Sequence, residues 1–565
     1  MSRPEHPMPD PARELVQLGE SYFETKHRYD PFNATLLGLT EFDGLTGSAS
    51  SEASAEAARA FAALRQQVER LDPTVLDEPQ RVDREVLTAL LRGAETDARH
   101  SLWAANVSGS GYVSRQGTLF QALAATTVTS PESWERYLAR VGAVPDYLRE
   151  LGIRYREELA SGRLATRVGV RHAIGQLRSD TTAAGLLRPV TGEPAAAWRT
   201  RAVELVDTVV PALGELADLV EGELLPVARD DDKVGVCWMA GGEEAYVDAL
   251  FQNTTTELSA QEIHELGHEM LAELDDRWAV VGQQAFGLSE RTAIAERLRS
   301  DPALRFETRE QIVDVVRGAL GRAEDALPRY FPTDVPIGEC DIVELGAEES
   351  ENSALAYYRP PAVDGSRNGA QCIATSDPTT RYRYEYEALS FHESVPGHHL
   401  QLATSQLLDL PRYRRHLDAE VCGFNEGWGL YTEDLADELG LYSDDFSRLG
   451  MLSFQALRAC RLVVDTGMHA LGWSRERAVT FMWENTATTR EHVEHEVDRY
   501  IVWPGQACAY AVGKREILRM RSRAEAALGP RFDLPAFHWA VIRNGPIPLS
   551  VADHEVSTWQ ESLLG

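Results

Sequence analysis

The chain has 565 residues, 43% of them apolar and 25% charged, so it can fill a large core and is neither disordered nor collagen-like. Its 56 basic and 88 acidic residues leave a net charge of −32. A surface of that sign repels phosphate backbones and anionic lipid, so neither nucleic acid nor a membrane is an expected partner, and no run of eighteen apolar residues marks a span.

In chain order, a Pro-rich start leads into a helix expected over about 11–27. The stretch 51–105 carries apolar residues at three- and four-residue spacing, as helices do. Ser130-Pro131-Glu132-Ser133 opens another helix, and 194–218 is a further one rich in Ala, Leu and Val. From about Val234 the texture changes: a short strand-like run, a Gly-Gly turn and a helix start are expected across 234–251. Helices follow at 259–280 and 307–330, and 340–386 reads as strand, loop and strand. Long helices resume over 387–530. The expected fold is mainly α with a small sheet near the middle, divided into an N-terminal helical lobe (1–230) and a catalytic lobe (231–565). The six cysteines (Cys237, Cys340, Cys372, Cys422, Cys460 and Cys508) form no C-x-x-C pair and read as buried thiols of a reducing compartment. The first residues show no basic stretch followed by an apolar one, so a cytoplasmic location is expected.

Two segments could hold a metal. Zinc needs two imidazoles within reach of one ion, a third ligand from elsewhere and an open position for water. His264-Glu265-Leu266-Gly267-His268 is a literal H-E-x-x-H. Its helix, however, starts with a capping box (Ser259 and Glu262), and its histidines lie on a flank lined by Glu262, Glu265, Glu269 and Glu273. Charge beside an interior metal is costly, so a partly exposed helix with two polar-face histidines is the expectation there.

The second segment runs Ser390-Phe391-His392-Glu393-Ser394-Val395-Pro396-Gly397-His398-His399. In a straight helix His398 would point to the wrong side, and His399 would point correctly but sit about 10 Å along the axis. Pro396 removes a backbone donor and clashes with the carbonyl of His392, and Gly397 allows wide backbone angles. A kink could therefore bring His398 or His399 back to His392. Glu426, 33 residues after Glu393, would complete a His, His, Glu set, with Glu433 as an alternative ligand or a supporting group.

These residues, with N-E-G-W-G-L-Y-T-E, R-A-C-R-L-V-V-D-T-G-M-H and E-V-D-R-Y-I-V-W-P-G-Q-A-C-A-Y-A-V-G-K, closely resemble the bacterial family known as domain of unknown function 885. The pieces G-G-E-E-A-Y, Y-Y-R-P-P-A-V-D-G-S-R-N-G and F-H-W-A-V-I-R-N-G-P-I-P-L fit in order, so the resemblance covers nearly the whole chain. That family is distantly similar to the gluzincin metallopeptidases, the helical cleft type represented by thimet oligopeptidase. The resemblance implies a two-lobed helical cleft and a zinc hydrolase acting on peptides. It implies that His392, Glu426 and one or both of His398 and His399 bind Zn2+, with His398 favoured by analogy with gluzincins. Glu393 would be the general base.

Arg499, Tyr500, Gln506 and Tyr510 also match the family pattern. Tyr510 is the expected oxyanion donor, and Arg499 the partner of a substrate carboxylate or a structural ion pair. Arg458, Arg461, Asp465 and His469 share one helical face, from which Asp465 and His469 could orient a zinc ligand. Tyr357, Arg367 and the loop 365–369 could line the cleft. The alternatives are a metal-dependent amide hydrolase of a small metabolite and a non-catalytic helical binding protein.

Overall fold

The computed structural model describes residues 10–109, 113–179, 196–346, 355–361, 367–415, 417 and 419–565. The expected tip at 1–9, the start of the helix expected from 194, and residues 365–366 of the loop 365–369 lie outside them.

The main helices of the first half are α1 (Pro11–Tyr29), α2 (Ser51–Arg70), α3 (Glu78–His100), α4 (Pro131–Ala160), α5 (Ala196–Leu219), α6 (Gly242–Thr254), α7 (Ala260–Phe286) and α8 (Arg309–Ala326). Their starts are written locally. Asp10 precedes Pro11 and accepts from Ala12 N, and reciprocal capping boxes open α3 (Asp77 and Gln80), α4 (Ser130 and Ser133) and α7 (Ser259 and Glu262). The strand-like run expected near 234–239 is instead a 3-10 turn, Val236–Trp238. Its backbone is held from outside, because Val236 N donates to His469 Nδ1 rather than to a neighbouring strand.

A three-stranded sheet follows: β1 (Cys340–Glu344), β2 (Ala356–Arg359) and β3 (Gly369–Ile373), in the order β1-β3-β2. The central strand β3 runs parallel to β1 and antiparallel to β2, and all its residues are buried. Next come α9 (Tyr386–Glu393), α10 (His398–Ser405), α11 (Cys422–Glu438), α12 (Asp445–His469), α13 (Arg490–Val502), α14 (Ala509–Leu528) and α15 (Leu549–Leu564). No helix among the described residues is long and apolar enough to cross a membrane.

Packing crosses the 230/231 boundary expected from sequence. Leu15, Tyr22, Phe61 and Leu90 of α1–α3 share one apolar cluster with Phe424, Trp428, Ile517 and Val556 of α11, α14 and α15. A second cluster, from Phe32 to Ala228, stays within the first half. Helices α9 and α12 are buried on every side: all eight residues of α9 are covered, as is α12 from Leu449 to His469. A helix with no wet face belongs to the interior, and here two of them carry His392, Glu393, Arg458 and Arg461 into it.

Candidate metal centre

The segment that matters begins where α9 stops. Ser394 leaves helical angles (φ −100°, ψ −123°), and α10 starts only at His398. Side chains from α11 hold this break. Trp428 Nε1 donates to the carbonyls of Pro396 (3.0 Å) and Gly397 (3.3 Å), and Thr432 Oγ1 donates to Phe391 O at 3.1 Å. His399 N closes the turn on Ser394 O at 3.1 Å. Gly397 is obligatory on space alone, because a β-carbon there would lie 1.8 Å from the carbonyl oxygen of His392.

The break brings His398 to His392. Their ring centroids are 4.8 Å apart and nearly perpendicular, at 89°. Glu426 Oε2 lies 3.3 Å from His392 Nε2 and 3.6 Å from His398 Nε2, and the three ligand atoms fall within 4.8 Å of one another. Donors ~2.1 Å from a tetrahedral ion are about 3.4 Å apart, and the two carboxylate–imidazole separations bracket that spacing. A direct imidazolium–carboxylate bond would be shorter, about 2.8 Å.

His399, expected as a possible ligand, faces elsewhere. Its Nε2 pairs with Gly338 O at 2.8 Å and its Nδ1 with Tyr358 OH at 3.1 Å, which ties α10 to the sheet. The helical-angle argument in its favour assumed that the axis continues through Pro396 and Gly397, and it does not.

The ligand set has a support. His392 Nδ1 pairs with Glu433 Oε1 at 2.9 Å, leaving Nε2 for the centre. Glu433 Oε2 accepts from Gln455 Nε2 at 3.3 Å, and Gln455 Oε1 accepts from the buried Lys514 ammonium, which also pairs with Asp434. Asp465 and His469, the pair expected to orient a ligand, are elsewhere. Asp465 accepts from Tyr246 OH (2.6 Å) and Gly505 N (3.0 Å), and His469 Nε2 bonds Tyr500 O at 3.0 Å. They share a helical face with Arg458 and Arg461, but their positions lie past the centre. The glycines of N-E-G-W-G were not singled out from sequence, yet they shape the site. A β-carbon on Gly429 would come within 2.7 Å of the His392 ring, and one on Gly427 within 2.5 Å of Gly513 backbone. Paired small residues on two helix stretches (Gly423, Gly427 and Gly513) were the available signal.

Burial opposes charge on His392, but bonds to Glu426 and Glu433 outweigh it and lift its pKa to about 10. His398 is raised for the same balance of reasons, and Glu426, though half-buried, is held well below the usual carboxylate range by the two imidazoles. Burial pushes Glu393 upward against the pull of His392 and His398. The donor set is thus a half-buried carboxylate that keeps its negative charge between two buried imidazoles, a set that fits a divalent cation.

Tyr510 is half-buried and close enough to Glu426 for the carboxylate to raise its pKa, after burial. Arg499 is not directed at the centre: it bonds Glu496 (3.1 and 3.2 Å) and Gln506 (2.6 Å). Tyr357 lies on β2 and Arg367 is exposed. The H-E-x-x-H helix matches the expectation only in part: His268 is exposed, but His264 is buried instead of lying on the polar face. His264 Nδ1 pairs with Thr466 Oγ1 at 2.8 Å, His268 stacks edge-on to Phe481, and no third ligand joins them among the described residues. A further triple, His100, Glu244 and Asp248, already contains the Arg99 guanidinium, 2.5 Å from Asp248.

A mainly helical chain with a His, His, Glu set, its two imidazoles buried and its carboxylate half-buried, is what the fold and the site define among the described residues. The chain belongs to the family described as bacterial protein of unknown function, DUF885, which matches residues 31–556. Two solved structures share the fold. One is a candidate lipoprotein from Colwellia psychrerythraea, 24% identical, covering 98% of this chain and 100% of its own length with a TM-score of 0.88. The other is a candidate lipoprotein of unknown function from Shewanella oneidensis, 16% identical, covering 96% and 99% with a TM-score of 0.76. No curated protein matches the chain.

Proposed function

We propose that the protein is a zinc-dependent hydrolase of the gluzincin type that cleaves peptide bonds. One observation carries the reading: His392, His398 and Glu426 converge to within 4.8 Å in the interior, with Glu393 next in the chain to a ligand. Zinc bound by three protein groups supplies Lewis acidity and a water acidified to a pKa near 7. The residues do the rest. Glu433 holds His392 in the tautomer that presents Nε2. Glu393 accepts the proton of the attacking water and returns it to the leaving nitrogen, so one water and one amide give one acid and one amine. Tyr510 donates its hydroxyl proton towards the developing oxyanion. Cytoplasmic residence is part of the same proposal, supported by six cysteines that form no disulfide among the described residues.

The test is metal analysis and hydrolysis by the purified full chain. Wild type should carry about one zinc, and His392→Ala should lose it. Glu393→Gln should keep zinc and lose hydrolysis by at least ~10²-fold, the usual contribution of a general base. A panel of peptides and acyl amino acids separates a peptidase from a small-metabolite amidase. Absence of bound metal in wild type, or parental rates in Glu393→Gln, would sink the reading.

A further inference from the structure

Arg458 is nine-tenths buried, yet it makes no hydrogen bond among the described residues, and its Nε is enclosed without a partner. Its Nη2 comes no nearer than 3.8 Å to Glu433 Oε1, an oxygen already paired with His392 Nδ1 at 2.9 Å. One turn along α12, Arg461 uses Nε on Tyr500 OH (2.7 Å) and Nη2 on Glu496 (2.5 Å), but its Nη1 is also buried and unpartnered. Both guanidiniums lie on the ring of Tyr510, with centroid distances of 6.0 Å and 4.3 Å.

Carboxylates stand near them, but their hydrogen bonds go elsewhere. Glu496 is shared by Arg461, Arg499 and the hydroxyl of Tyr500. Glu433 belongs to His392 and Gln455. Glu385 and Glu393 sit within the field of Arg458 without hydrogen-bonding it. Burying a guanidinium with idle donors is costly, and none of the carboxylates near Arg458 takes them. Idle forked donors in the interior match a planar anion, and a carboxylate takes them two at a time.

We infer that Arg458, with Arg461 beside it, forms a subsite for a substrate carboxylate next to the metal centre. The inference deepens the hydrolase reading and rests on it. Arg458 is one side chain behind a ligand imidazole, so the recognised carboxylate belongs to a residue near the scissile bond, each residue spanning ~3.5 Å. Its source is the C-terminus of a short peptide or an acidic side chain at the same distance.

The test measures binding rather than turnover. Full-length Glu393→Gln protein loaded with zinc is titrated calorimetrically with three probes: acetyl-Ala-Ala-Phe with a free carboxylate, the same peptide as its C-terminal amide, and acetyl-Ala-Glu-Phe amide. Either carboxylate-bearing peptide should bind at least ~10-fold tighter than the neutral amide, and which one does so identifies the source. Arg458→Gln should erase that preference at unchanged zinc content, and Arg458→Lys should retain part of it. Among the described residues Arg458 meets the fold through a 3.8 Å approach to Glu433 and the rings of Phe454 and Tyr510, with no hydrogen bond, so Arg458→Gln should melt close to the parent. Equal binding of all three probes, or a preference that survives Arg458→Gln, overturns the subsite. Failure of the hydrolase reading would show separately, as absent zinc or absent turnover in protein whose Arg458 is intact.

Discussion

Gly429 lies against the imidazole of His392: a β-carbon at this position would stand 2.7 Å from both Cε1 and Nε2 of the ring. Gly429→Ala must therefore displace the ring, since the helix backbone cannot retreat from Trp428 and Leu430, both fully buried. The expected outcome is a folded protein with zinc affinity reduced at least ~10-fold, because ligand placement tolerates little error. Competition with a chelator dye reads it directly.

Glu433 supports the same ring from the other nitrogen. Glu433→Gln keeps the shape but removes the carboxylate that holds the Nδ1 proton. Zinc affinity should fall 10- to 100-fold, the range for such supporting partners. Equal affinity in mutant and parent would show that the tautomer is set by something else.

Three histidine substitutions separate the proposed ligands from their neighbours. His398→Ala should release zinc, while His399→Ala and His268→Ala should leave about one per chain. His399→Ala should also lower Tm, because it cuts the tie between α10 and the sheet through Gly338 and Tyr358. Zinc loss as complete in His399→Ala as in His398→Ala would contradict the assignment.

Asp465 provides a pH signature away from the centre. Burial pushes its carboxyl up to about 7, against the bonds from Tyr246 and Gly505 that favour the anion. Between the ordinary Asp value near 4 and about 7 the folded chain holds one proton more than the unfolded chain, so this group's contribution to stability falls as pH rises through that window. Glu385, lifted to about 8 by burial, has the same sign. Compared from pH 4 to 8, the denaturation midpoint of wild type should fall relative to that of Asp465→Asn as pH rises. A parallel pair of curves would show that Asp465 is already ionised at pH 4.

Much of the fold was legible because its signals are local. Ser259 and Glu262 mark a helix start whatever surrounds them, and Y-Y-R-P-P with G-A-Q-C-I marks two strands joined by a loop. The run at 234–239 misled because its apolar residues suit either a strand or a buried turn, and only the contact with His469 decides between them.

By itself the sequence determined the chemistry available: two histidines and a glutamate of the right types, a second glutamate beside one of them, a Pro-Gly break and a distant N-E-G-W-G. It could not determine which imidazole returns to the centre. That depends on the direction α10 takes after the break, which Trp428 sets by binding the carbonyls of Pro396 and Gly397 from another helix. Nor could it show that Glu433, rather than Asp465 or His469, faces His392, or that Arg458 is left without a hydrogen bond. Those are relations between α9, α11 and α12, and spacing along one helix specifies only a shared face, never what that face meets.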